Sequence, residues 1–216
     1  MAVASDARPR FRGVSHRIAF FLALPLAVVL AFEVDTAAGR VAAIAFGTSA
    51  AVMFGASALY HGVSWPDAKR RWLRRLDHAG IYGLIAGTYT AVGLLVLEGS
   101  WRTVVLGIVW VGAAAGIALK FLWVDGPKWL SAAIGIALGW VAVVAFPQIV
   151  AGVGIAGSVL VVVGGIAYTA GALVYALRRP DPVPDVFGYH EVFHALVIVA
   201  VACQYSAIAF YVLPKH

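Results

Sequence analysis

The chemistry open to this chain is concentrated in its histidines. His61, His78, His190 and His194 lie at the ends of long apolar runs, whereas His16 and His216 fall outside those runs and are expected to be solvated. His190 and His194 stand at i and i+4 in His190-Glu191-Val192-Phe193-His194. On a helix that spacing puts both imidazoles on one face, where they can hold a single ion. Ser57 and His61 share a face by the same rule, and Asp77 and His78 open a further apolar run. Three imidazoles with one open position are the ligand set of a catalytic zinc site, and zinc lowers the pKa of its water to about 7. His61, His190 and His194 are therefore the candidate metal ligands. Asp77 is the candidate general base, and Ser57 is placed to donate to the water or to a developing oxyanion. His78 points about 100° away from Asp77 on a helix and is read as a packing residue.

The elements that must position these groups are set by composition. Of 216 residues, 62% are hydrophobic and 12% charged, about half the charged share of a soluble domain. That excludes an ordinary globular enzyme, a disordered chain and a disulfide-stapled secreted domain. The apolar runs are continuous and do not alternate, which excludes a β-barrel. The fold class expected is all-α: a polytopic membrane protein with seven transmembrane helices, at about 17–34, 41–62, 78–97, 102–122, 129–146, 149–177 and 190–213. Residues 1–16 form a short, basic, flexible cytoplasmic segment, and residues 17–213 the transmembrane domain. Arg8, Arg10, Arg12 and Arg17 before an apolar stretch suggest a signal peptide, but Glu33-Val34-Asp35-Thr36-Ala37-Ala38 is a poor cleavage site, so the first span is read as retained.

Charge sets the orientation. With the N-terminus inside, the cytoplasmic segments carry Arg8, Arg10, Arg12, Arg17, Lys69, Arg70, Arg71, Arg74, Arg75, Lys120, Lys128, Arg178 and Arg179, and the outer side only Arg40, Arg102 and Lys215. This bias gives a cytoplasmic N-terminus and an outer C-terminus. The Lys69–Arg75 stretch reads as a topology determinant lying on anionic headgroups. The topology brings Ser57/His61, Asp77/His78 and His190/His194 to one depth near the inner leaflet, where ionisable side chains are costly and mark function. Gly152-Val153-Gly154-Ile155-Ala156-Gly157 has the letters of a dinucleotide fingerprint but no strand before it, and reads as small-residue helix packing. Cys203 lies inside an apolar run and says nothing about redox compartment.

Ser57-xxx-His61 ending a second span, Asp77-His78 opening a third and His190-xxx-His194 opening a seventh resemble the hemolysin III family, which belongs with the progestin and adipoQ receptors and more distantly with the alkaline ceramidases. The resemblance covers about Arg17 to Leu213. It implies zinc held by His61, His190 and His194 with Asp77 and Ser57 beside it, and a hydrolytic activity on lipid amides or esters. The receptor members' long N-terminal regions are missing here. Membrane lipids are the expected partners, with a lipid as substrate; neither nucleic acid nor a soluble protein is implied, and a prokaryotic plasma membrane is the expected location. Two other readings use the same residues: a receptor or sensor with a structural zinc, and a membrane-lytic protein, though no polar helix face is present to line a pore. His190–His194 also spells H-E-x-x-H, the zincin pattern in which Glu191 would be the base of an intramembrane protease. That reading leaves Ser57, His61 and Asp77 without a role.

Overall fold

The structure is a computed structural model and describes residues 9–215. Arg8 and His216 lie outside the described residues. Among those described, the chain is helical almost throughout, and its only β pairing is an isolated bridge between Val183 and Phe187. The helices are α1 (Val14–Phe32), α2 (Ala37–Gly62), α3 (Asp67–Leu95), α4 (Gly99–Leu122), α5 (Lys128–Gly139), α6 (Phe146–Leu177) and α7 (Tyr189–Ala207). A 3₁₀ segment, Val141–Ala145, joins α5 to α6, and α7 runs on into a short π turn, Ile208–Val212.

Local sequence explains most of the ends. Thr36 caps α2 by accepting the Gly39 N–H at 3.1 Å. Asp67 sits in the first turn of α3, where a carboxylate complements the helix dipole. Five helical stretches are long and apolar enough to cross a membrane: residues 14–32, 37–62, 99–122, 128–177 and 189–215. Many of their large apolar side chains face outward, among them Phe21, Phe32, Val111, Leu122 and Ile155. A surface this apolar is the surface of a protein solvated by lipid. α3 is as long as the others but crowds Asp67, Lys69, Arg70, Arg71, Arg74, Arg75 and Asp77 into its first third.

The 128–177 stretch is folded back on itself. Trp140 Nε1 donates to Thr169 Oγ1 at 2.9 Å, although 29 residues of straight helix would separate them by about 43 Å. The reversal must fall midway, and there Gly154 has φ 72° and ψ 178°, a conformation open to glycine and strained for other residues. The expected boundary near Pro147 is therefore displaced. Pro147 lies in the first turn of α6, where its missing N–H costs nothing. The descending arm is itself broken between α5 and α6. Tyr89 on α3 holds the break: its hydroxyl donates to Gly139 O at 2.9 Å and accepts the Ala142 N–H at 2.9 Å. Backbone groups freed at membrane depth must find such partners.

Candidate metal centre

His61 is the penultimate residue of α2, and His190 and His194 lie in the first two turns of α7. All three are buried, and one ring nitrogen from each lies within 4.8 Å of the others. The Nε2 atoms of His61 and His190 face one another at 3.2 Å. Two nitrogens bound to one tetrahedral zinc at 2.0–2.1 Å would stand about 3.3 Å apart, so the present spacing already suits an ion. His194 Nδ1 is buried with no hydrogen-bond partner, a donor set left incomplete by protein groups alone. The three imidazoles fit a divalent cation of zinc's preferences, and the i, i+4 reading of α7 is what brings two of them together.

Asp77 comes to the same place from α3. Its Oδ2 lies 3.4 Å from His61 Nε2, with the side chain 11% exposed. Ser57, one turn before His61, is 1% exposed and its hydroxyl is hydrogen-bonded at 2.8 Å to His16 Nδ1. His78 turns to the neighbouring Tyr175, the ring centroids 6.3 Å apart. It still borders the small cavity beside the histidines, about 100 Å³, which Asp77, Lys120 and Ser57 also line.

Two residues of this centre escaped the sequence reading. His16, expected to be solvated, is 2% exposed. α1 begins at Val14, three residues before the expected start of the span, and this carries His16 inside. Its ring stacks on His194 with centroids 3.8 Å apart and planes 11° from parallel. The available signal was Ser15-His16 at the mouth of the first apolar run, the same depth as the other histidines. Lys120, counted as an orientation charge, is 4% exposed and lines the histidine cavity from the last turn of α4.

Residues 10–13, expected to be flexible, are packed as well. Arg10 N and Phe11 N donate to Asp185 O and Val186 O at 3.0 and 3.2 Å. Gly13, at φ 78°, lies so close to His61 that a Cβ there would stand 2.6 Å from the His61 Cβ. Arg12 Nε lies 2.5 Å from Glu191 Oε1, an ion pair by distance whose N–H is not aligned for a hydrogen bond. The other Glu191 oxygen accepts the Gly188 N–H at 2.9 Å, so the third helical residue reaches back to satisfy the backbone donor that precedes α7. Both oxygens of Glu191 thus have protein partners, Arg12 and the Gly188 N–H. A zincin base would need one of them free to face the ion.

Beside the histidine cavity lies a larger one of about 270 Å³, walled by α3, α5, the 3₁₀ segment, α6 and α7 and almost wholly apolar. Ile81, Gly135, Ala172, Phe193 and Val197 line both, so the two are adjoining chambers.

Comparison with known proteins agrees with this architecture. The family model described as Haemolysin-III related matches residues 5–205. Hemolysin-3 of Bacillus cereus is 31% identical over 204 residues, covering 93% of this chain and 90% of that protein. The Hemolysin-3 homolog of Bacillus subtilis (strain 168) is 31% identical over 201 residues, covering 92% and 91%. With a match that runs from the N-terminal segment through both histidines of α7, the chain belongs to the haemolysin-III related family.

Proposed function

We propose that the protein is an integral membrane hydrolase of lipid amides or esters, with zinc held by His61, His190 and His194 near the cytoplasmic face. The observation that carries this reading is a buried three-histidine cluster opening into an apolar chamber. In it the chain crosses the plasma membrane seven times, N-terminus inside: α1 to α4, the two arms of the 128–177 hairpin, and α7. Residues 17–213 form the membrane domain. When bound, the ion would supply Lewis-acid activation of water and of the scissile carbonyl.

The chain's own residues supply the rest. Asp77 Oδ accepts the proton that the attacking water loses, and passes it to the leaving amine or alcohol. Lys120, which lines the same cavity, offers a cation to the polar end of the substrate. Ser57 is held by His16, so its hydroxyl has a fixed position beside the ligands. The apolar chamber takes an acyl chain. Trp140 and Val143 both line it and are exposed at the outer surface, which supports lateral entry from lipid.

The test is metal content of detergent-purified protein for the wild type, His61→Ala and His190→Ala, followed by a lipid-amide turnover screen. About one zinc per chain in the wild type, lost in both variants, is expected. Asp77→Ala should keep the metal and lose turnover by at least 10²-fold. Wild-type protein prepared without chelators and free of metal would refute the site and the enzyme together.

A further inference from the structure

The larger chamber holds one feature that hydrolysis at the histidines does not use. Tyr168, on the α6 arm, lines this chamber, and its hydroxyl is buried with no hydrogen-bond partner. Gln204 of α7 lines the same chamber. Its Nε2 donates to Val161 O at 3.2 Å, and its amide packs over Gly164. Tyr168 is one turn beyond Gly164 on the same face, and side chains on a helix tilt toward its N-terminus. The phenol therefore leans toward the level of the Gln204 amide, a group that carries an acceptor oxygen as well as its donors.

A buried hydroxyl without a partner is costly. We propose that Tyr168 and Gln204 form a subsite for an oxygen substituent, a hydroxyl or keto group, carried partway along an acyl chain; this deepens the lipid-substrate reading and rests on its placing an acyl chain in the chamber.

The fold sets the position of that substituent. From His194 to Gln204 the α7 helix advances about 15 Å, and from Tyr175 to Tyr168 the α6 arm advances about 10 Å. An extended hydrocarbon gains about 1.25 Å per carbon from C–C bonds of about 1.5 Å. The subsite thus falls about 8–12 carbons from a carbonyl held at the histidines. The ligand class is a mid-chain oxygenated acyl lipid.

The test is displacement of radiolabelled octadecanoic acid from purified wild-type protein by unlabelled octadecanoic, 10-hydroxyoctadecanoic and 4-hydroxyoctadecanoic acids. The expected result is 10-hydroxy binding roughly 3–10-fold tighter than the plain chain, the return on one buried hydrogen bond, with no gain for the 4-hydroxy compound. In Tyr168→Phe the 10-hydroxy preference should fall to one. Equal wild-type affinities, a preference that survives Tyr168→Phe, or no binding of any chain would each overturn the proposal. The wild-type ratio decides this even if the variant folds poorly. Binding is read without turnover, so a clear preference in a protein that hydrolyses no amide would remove the hydrolase reading and leave the subsite standing.

Discussion

Glu191 discriminates most sharply between the two zinc chemistries its neighbourhood spells. In the structure it is a structural acid: its side chain is 2% exposed, one oxygen lies against Arg12 and the other caps α7. Removing a buried ion's partner costs about 3–5 kcal/mol. Arg12 is 22% exposed and its N–H is misaligned, which lowers the cost here to about 2–3 kcal/mol. Loss of the cap adds about 1 kcal/mol. Glu191→Ala should therefore destabilise by about 3–4 kcal/mol, read by reversible denaturation in mixed micelles. Glu191→Gln keeps an acceptor for the Gly188 N–H at the same position and should lose about 2 kcal/mol. A double-mutant cycle with Arg12→Ala should return a coupling of about 1–3 kcal/mol. Through all of this, folded Glu191→Gln should keep full metal and turnover within about threefold of wild type. A general base contributes 10²–10⁴-fold. A folded, metal-replete Glu191→Gln protein with turnover down by more than 10² would refute the assignment and return Glu191 to the zincin role.

Three further outcomes follow from the same geometry. Gly13→Ala must fit a methyl at φ 78° against His61, which should destabilise by about 2–4 kcal/mol and weaken zinc retention in a chelator competition, since His61 is displaced. His16→Phe keeps a ring over His194 and loses the Ser57 bond, at a cost of about 1 kcal/mol. His16→Ala removes the stack too and should cost about 2–3 kcal/mol; identical melting of the two variants would show that the stack contributes nothing. Tyr89→Phe strands the Gly139 carbonyl and Ala142 N–H inside the chain and should destabilise by about 1–3 kcal/mol in thermal melts.

The candidate ligands were legible because two independent regularities pointed at them. The i, i+4 spacing of His190 and His194 fixes a shared face, and the arginine and lysine distribution puts His61 and Asp77 at the same end of their helices. The helix around His16 was legible only as an apolar run. Where that run begins depends on how Arg10, Phe11 and Arg12 dock on residues 185, 186 and 191, a contact between opposite ends of the chain that no local pattern carries. Lys120 illustrates the same limit: a lysine at a helix end reads as a headgroup charge unless another element closes over it. In the 128–177 stretch, Pro147 drew the expected boundary because proline breaks most helices. The actual reversal uses Gly154, and the actual break is held by a tyrosine 50 residues upstream.

The order in which the centre's residues leave the ribosome has a consequence for biogenesis. His16 is in the first helix, His61 in the second, Asp77 in the third, and the remaining two ligands in the last. For most of its synthesis the chain holds one of three ligands, and its N-terminal segment has no partner until residues 185–191 emerge. An ion held by all three imidazoles could therefore be captured only at the end of membrane insertion, when the first and last helices meet. A chain truncated before α7 would carry an unclosed chamber and one of the three imidazoles, so the proposed metal site would exist only in the completed fold.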